Sequence, residues 1–147
     1  MKLKIKDIIV LFNNGICDTT EHDVPVADAY KASKFRRELR KAFDEVAERE
    51  RALAKDAGFE IGKISEATEE QRKRFHELQA EMLADEIELP GVKTMSYESY
   101  HILAKENRQT PVILPGPGKE EERTIIVDPF RNCEEILEGV LWVAPEE

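Results

Sequence analysis

VADAYKASKFRRELRKAFDEVAERERALAKDA, residues 26–57, places Ala32, Leu39, Val46 and Leu53 at every seventh position. Phe35, Ala42 and Phe43 flank that series, so one apolar stripe runs down a helix of about eight turns. No proline or glycine interrupts the stretch. Most of its other residues are Ala, Arg, Lys or Glu, which lose little side-chain freedom in a helix, and Gly58 supplies a stop.

A stripe on one side of a helix needs something to cover it. Thr68-Glu69-Glu70-Gln71 fits a capping box, in which the Thr hydroxyl and the Gln side chain satisfy orphan backbone donors at a helix start. Phe75, Leu78, Met82 and Leu83 then form the apolar face of a second helix over residues 68–86. Two sequential helices joined by a short link pack antiparallel. In that register Asp85, Glu86 and Glu88 come level with Arg36, Arg37, Arg40 and Lys41, and Arg72, Lys73 and Arg74 lie near the far end of the first helix.

Outward from this pair the pattern is mixed. Lys2-Leu3-Lys4-Ile5-Lys6 alternates as a half-buried strand does. Asp7 can cap a short helix carrying Ile8, Ile9, Leu11 and Phe12, which Asn13-Asn14-Gly15 ends. Ile87-Glu88-Leu89 reads as a short strand, and Ser96 can cap a helix through Tyr97, Tyr100, Ile102 and Leu103. Residues 111–114 and 124–127 are β-branched runs either side of Pro115-Gly116-Pro117-Gly118, the pattern of a hairpin with a long loop. A final helix starts at Asp128-Pro129 or Asn132 and continues through Ile136, Leu137, Val140 and Leu141. The fold expected is α+β: a long antiparallel helical hairpin packed on a small antiparallel sheet of four strands, with short additional helices, all in a single domain spanning 1–147.

A chain of 147 residues is long enough to bury a core, removing roughly 70% of its extended surface from water. The apolar stretch Ile8–Phe12 is too short for a membrane span or a secretory signal core, so the expected location is cytoplasmic. Cys17 and Cys133 belong to no CxxC pair, which argues against a zinc site or a disulfide framework. A net charge of −9 disfavours a large nucleic-acid footprint.

Candidate chemistry is sparse. Asp18, Glu21, His22 and Asp23 crowd hard ligands and an imidazole into six positions, but metal sites need ligands fixed by a fold, and a polar loop accounts for them. His76-Glu77 opens like a zincin helix, yet Ala80 stands where the second His belongs. Residues 116–119 superficially suggest a phosphate loop, but Ile113 occupies the first Gly position of that motif and Glu120 follows the Lys. Cys133 lies in the first turn of the expected last helix, where a thiol pKa can be lowered, and is the one nucleophile worth testing. Tyr97, Tyr100 and Trp142 could form an exposed aromatic patch for a partner, but at their spacing they read as core or half-buried contacts. The run Lys31, Lys34, Arg36, Arg37, Arg40, Lys41 falls in the first half of the long helix, where the helix dipole favours acids. A solvated face answered by the acidic end of helix two accounts for it, and an anionic partner is the other reading.

The long helix with Tyr30-Lys31-Ala32-Ser33-Lys34 and Arg36-Arg37-Glu38-Leu39-Arg40-Lys41, set between a Lys-rich strand and Glu86-Ile87-Glu88-Leu89, resembles a group of small phage and prophage proteins of unknown function over most of residues 1–103. That resemblance implies a context of particle assembly or prophage function and carries over no catalytic residue. Together these readings predict a non-enzymatic protein-interaction or assembly module that binds a protein partner or itself. No catalytic residue, cofactor or metal is expected, and Lys34, Arg37, Arg40 and Lys41 are the candidate partner-binding residues. The alternative is a nucleic-acid-associated regulator using the same basic face.

Overall fold

The computed structural model describes residues 1–20, 23–108 and 128–144, with the backbone of two further segments, 112–115 and 122–125. Strand β1, Lys2–Lys4, runs straight into helix α1, Ile5–Asn13. The helix begins two residues ahead of the expected Asp7 cap, and no side chain caps it. The Ile5 N–H instead donates to the Asp85 carbonyl at 2.9 Å, so a distant acceptor replaces the local one. Asn14 closes α1 and Gly15, at φ 81°, turns the chain away.

Helix α2 spans Val26–Asp56, within a residue of the stretch read from the sequence. Ala32, Phe35, Leu39, Ala42 and Val46 form its buried stripe, and Phe12 of α1 stacks on Phe43 with ring centroids 3.7 Å apart. At the far end Ala54, rather than Leu53, is the fully buried residue. Helix α3, Glu69–Leu83, opens on the expected capping box: the Gln71 N–H donates to Thr68 Oγ1 at 3.1 Å, and the Thr68 N–H donates to Gln71 Oε1 at 2.8 Å. Between α2 and α3, Gln71 Nε2 donates to the Gly58 carbonyl at 3.0 Å, Phe59 meets Phe75 edge to face, and Arg49 Nη1 reaches Asp85 Oδ2 at 2.8 Å.

Strand β2, Glu86–Glu88, pairs antiparallel with β1 in the register Lys2↔Glu88, Leu3↔Ile87, Lys4↔Glu86. Opposite charges face each other on the outside, while Leu3 and Ile87 meet on the buried side. Strand β3, Met95–Ser96, leads into α4, Tyr97–Glu106, where Ser96 Oγ accepts from the Ser99 N–H as the expected cap. β4, Val112–Pro115, and β5, Glu122–Ile125, form an antiparallel pair.

The described strands form no single sheet. β1 pairs only with β2, β4 only with β5, and β3 pairs in parallel with β6, Trp142–Val143. The expected last helix is also divided. It consists of two short pieces, α5, Pro129–Asn132, and α6, Glu134–Leu137, and Gly139 at φ 77° then reverses the chain. That turn carries Leu141 and Trp142 into the ladder beside Met95, whose N–H donates to the Leu141 carbonyl at 2.7 Å. Phe35, Leu39, Tyr100, Leu103, Phe130 and Leu137 are among the side chains that lose all or nearly all contact with solvent in the common core. The chain is thus mostly helical, with small two-stranded additions. No helix among the described residues is long and apolar enough to cross a membrane.

Candidate interaction surface

The basic run of α2 does not meet the acidic end of α3. Arg36 Nη1 donates to the Thr19 carbonyl at 2.6 Å, and Arg40 Nη2 donates to the Cys17 carbonyl at 3.4 Å. Both arginines therefore face the segment after α1, whose carbonyls end a 3₁₀ turn at Ile16–Asp18 and lack helical partners. Asp85 takes Arg49 instead, more than two turns further along α2 than the expected register.

Lys34 and Lys41 both reach Glu38, at 3.0 and 3.4 Å from Oε1. Glu38 sits on the buried stripe at 6% exposure, and these two ammonium groups offset the loss of hydration. The hydrogen bond from Lys34, with the added field of both lysines, holds the Glu38 carboxyl below the ordinary glutamate range against its desolvation. Arg37 is exposed and has no hydrogen bond or ion pair among the described residues. Of the four predicted residues, Lys34, Arg37 and Lys41 thus share one side of α2, while Arg40 is committed to the neighbouring chain segment.

Lys34 leads to a feature that the sequence did not disclose. Val26 is 87% exposed and Tyr30 is 65% exposed, one turn apart at the start of α2. With Lys31, Lys34, Gly91 and Lys93 they line a concavity of about 620 Å³. The Lys34 stem lies so close to Gly91 that a Cβ there would stand 3.2 Å from Lys34 Cε, and Gly91 has φ 73°. Lys31 is anchored to Asp28 at 3.4 Å, and Asp28 also accepts from Ser99 Oγ at 2.5 Å. The rim therefore sets two anchored cations, Lys31 and Lys34, and the exposed Lys93 around exposed apolar and aromatic surface.

The other candidate groups do not come together. Asp18 and Asp23 are exposed, the Asp23 N–H donates to Glu106 Oε1, and Glu21 and His22 lie outside the described residues, as does the 116–119 turn. His76 and His101 stand exposed on different helices. Both cysteines are buried; burial pushes the Cys17 thiol up and Cys133 up to about 11, the opposite of the lowering expected at a helix start. No group of three or more His, Cys, Asp or Glu side chains among the described residues is placed to hold a metal ion. Of the three aromatics, Tyr100 and Trp142 are buried and Tyr97 is partly exposed.

Compared with known protein families, curated proteins and solved structures, the chain matches none.

Proposed function

We propose that this chain is a non-enzymatic, cytoplasmic protein-interaction or assembly module whose partner docks at the start of α2. The observation that carries the reading is the exposure of Val26 and Tyr30 inside a lysine-rimmed concavity. Apolar and aromatic surface left in water beside three lysines suits an acidic, amphipathic protein segment, with Val26 and the Tyr30 ring supplying contact area and the lysines orientation. The scaffold is an antiparallel helical hairpin of α2 and α3. It is supported by contacts that progress in opposite senses along the two helices, Gly58 with Gln71 and Arg49 with Asp85. A phage or prophage origin belongs to this reading through the sequence resemblance, and tail or capsid genes beside its own would support it.

Nucleic acid is the second reading, favoured by Arg37, which has no hydrogen bond or ion pair among the described residues, one turn from Lys41. Weighing against it, Arg36 and Arg40 donate to backbone carbonyls, and phosphate binding needs more free cations than Arg37 and a Lys41 that also serves Glu38.

The test places a photo-crosslinking amino acid at position 30 in the source cell, identifies what is captured, and repeats the binding with purified components. A partner lost on Lys93→Glu, or a concentration-dependent oligomer seen by light scattering and lost on Tyr30→Glu, supports the reading. A strict monomer with no capture at position 30 contradicts it, and salt-sensitive binding of a DNA or RNA duplex would transfer the function to the second reading.

A further inference from the structure

At the opposite end of α4 from its C-cap, Tyr97 and Trp142 form an aromatic corner, with ring centroids 5.0 Å apart at an interplanar angle of 60°; Tyr97, 37% exposed, is its open wall, and the largely buried Trp142 backs it. Both are fastened to one residue. The Tyr97 hydroxyl donates to Glu134 Oε1 at 3.1 Å, and the Trp142 Nε1–H donates to the Glu134 backbone carbonyl at 3.1 Å. Rings and carboxylate therefore form one preorganised unit. Glu135 and Glu138 complete the rim of a concavity of about 360 Å³ whose walls are otherwise Tyr97, Trp142 and Ala144. Arg131 borders Tyr97 and Glu134 on the other side and is paired with Asp128 at 3.6 Å, so three carboxylates, Glu134, Glu135 and Glu138, leave the rim with a surplus of negative charge. Tyr97 is also a wall of a second, more apolar groove of about 890 Å³, which holds Ile102 and the 45% exposed Val143.

We propose that this paired groove is a docking site for an arginine-bearing segment of a partner protein in which an apolar residue adjoins the arginine. Charge complementarity selects the cation: the exposed Tyr97 ring attracts a cation through its quadrupole, and carboxylates beside it add a direct counter-charge. A guanidinium suits the corner better than an ammonium, because it is planar, stacks on a ring face and forks onto a carboxylate while shedding its weaker hydration. The shared Tyr97 wall selects a peptide over a small free cation, since the neighbouring apolar groove gives the adjoining side chain somewhere to lie. The site is chemically the reverse of the lysine-rimmed concavity on α2 and is independent of it; either can fail without the other.

Trp142 is the sole tryptophan, so its fluorescence reports occupancy directly. The purified chain is titrated with a blocked peptide containing one Arg-Leu pair, with the same peptide carrying neutral citrulline for arginine, and with tetramethylammonium. The site predicts a saturable change with the arginine peptide, at least about tenfold weaker binding of the citrulline peptide, and a loss of about tenfold in Tyr97→Leu. Glu138→Gln, at an exposed position, weakens binding several-fold with the far-ultraviolet circular dichroism unchanged, so the test survives if the tyrosine variant misfolds. Equal binding of the citrulline peptide, an unaltered affinity in both variants, tetramethylammonium binding as tightly as the peptide, or no saturable response at millimolar peptide would each overturn the assignment.

Discussion

Glu38 lies on the buried stripe of α2 with its carboxylate 3.0 Å from Lys34 Nζ, one turn earlier, and 3.4 Å from Lys41 Nζ, one turn later. A carboxylate in that position keeps its charge through the two lysines, and the same two lysines are held along one side of the helix by it. The mutual arrangement links the core of α2 to its candidate surface.

An acid-limb dependence of stability follows. The Glu38 carboxyl is held below the ordinary glutamate value of 4.5, chiefly by Lys34, and Asp85 below the ordinary 3.8, first by the Glu86 N–H and then by Arg49. Depressed carboxyls bind more protons unfolded than folded, so their contribution is fully present above the unfolded values and is lost as pH falls through the folded ones. Urea midpoints are expected to hold steady above about pH 5 and to fall below it. In Glu38→Gln the fall should be shallower; an acid limb identical to that of the parent chain would contradict the pairing.

Tyr100 fills the junction of α4 and α5, its hydroxyl donating to the Phe130 carbonyl and its ring meeting the Phe130 ring edge to face at 5.7 Å. Tyr100→Phe keeps the ring and leaves that buried carbonyl short of a donor, at a cost of about 1 kcal/mol, whereas Tyr100→Ala opens a cavity and costs about 3–5 kcal/mol. Chemical denaturation of the two variants checks the ratio.

The Thr68 side chain of the α3 capping box bonds only within the first turn of its own helix, while Gln71 also holds the Gly58 carbonyl, so a change at Thr68 has a local meaning. Thr68→Ala should lower stability by about 1 kcal/mol and Thr68→Ser by much less, since a serine hydroxyl accepts from the same N–H. Hydrogen exchange should show the loosening in the first turn of α3 before it shows anywhere in α1.

Both thiols should be silent in the folded chain. Cys133 is 1% exposed and its pKa stands at about 11, so a disulfide reagent near neutral pH should modify it only at the rate at which the structure opens. Rapid native-state labelling of Cys133 would show that its environment is not the one described.

The parts of this architecture that were legible in the sequence are those governed by neighbouring residues. The seven-residue recurrence located α2, and Thr68 and Ser96 announced α3 and α4, because caps and amphipathic stripes are local properties. The pairing of strands was not legible. β3 and β6 are a few residues each and meet across nearly fifty positions, and only the turn at Gly139 brings Trp142 to Met95. The candidate surface was half visible for a related reason. Charge in the α2 run was plain, but Arg36 and Arg40 answer carbonyls near Cys17 and Thr19, and no charge pattern encodes a backbone acceptor in another segment. Val26 and Tyr30 were missed because an apolar residue at the edge of an amphipathic run carries no mark of whether the core reaches it.

All of this supposes that α2 and α3 fold back on each other and leave the start of α2 uncovered. Spin labels introduced as noncanonical amino acids at the exposed positions Glu48 and Ala84, with both native cysteines untouched, measure that directly by double electron–electron resonance. Adjacent antiparallel helices give a separation of about 20 Å or less, labels included. A separation beyond about 40 Å, approaching the roughly 54 Å of one continuous helix over those positions, would contradict the account.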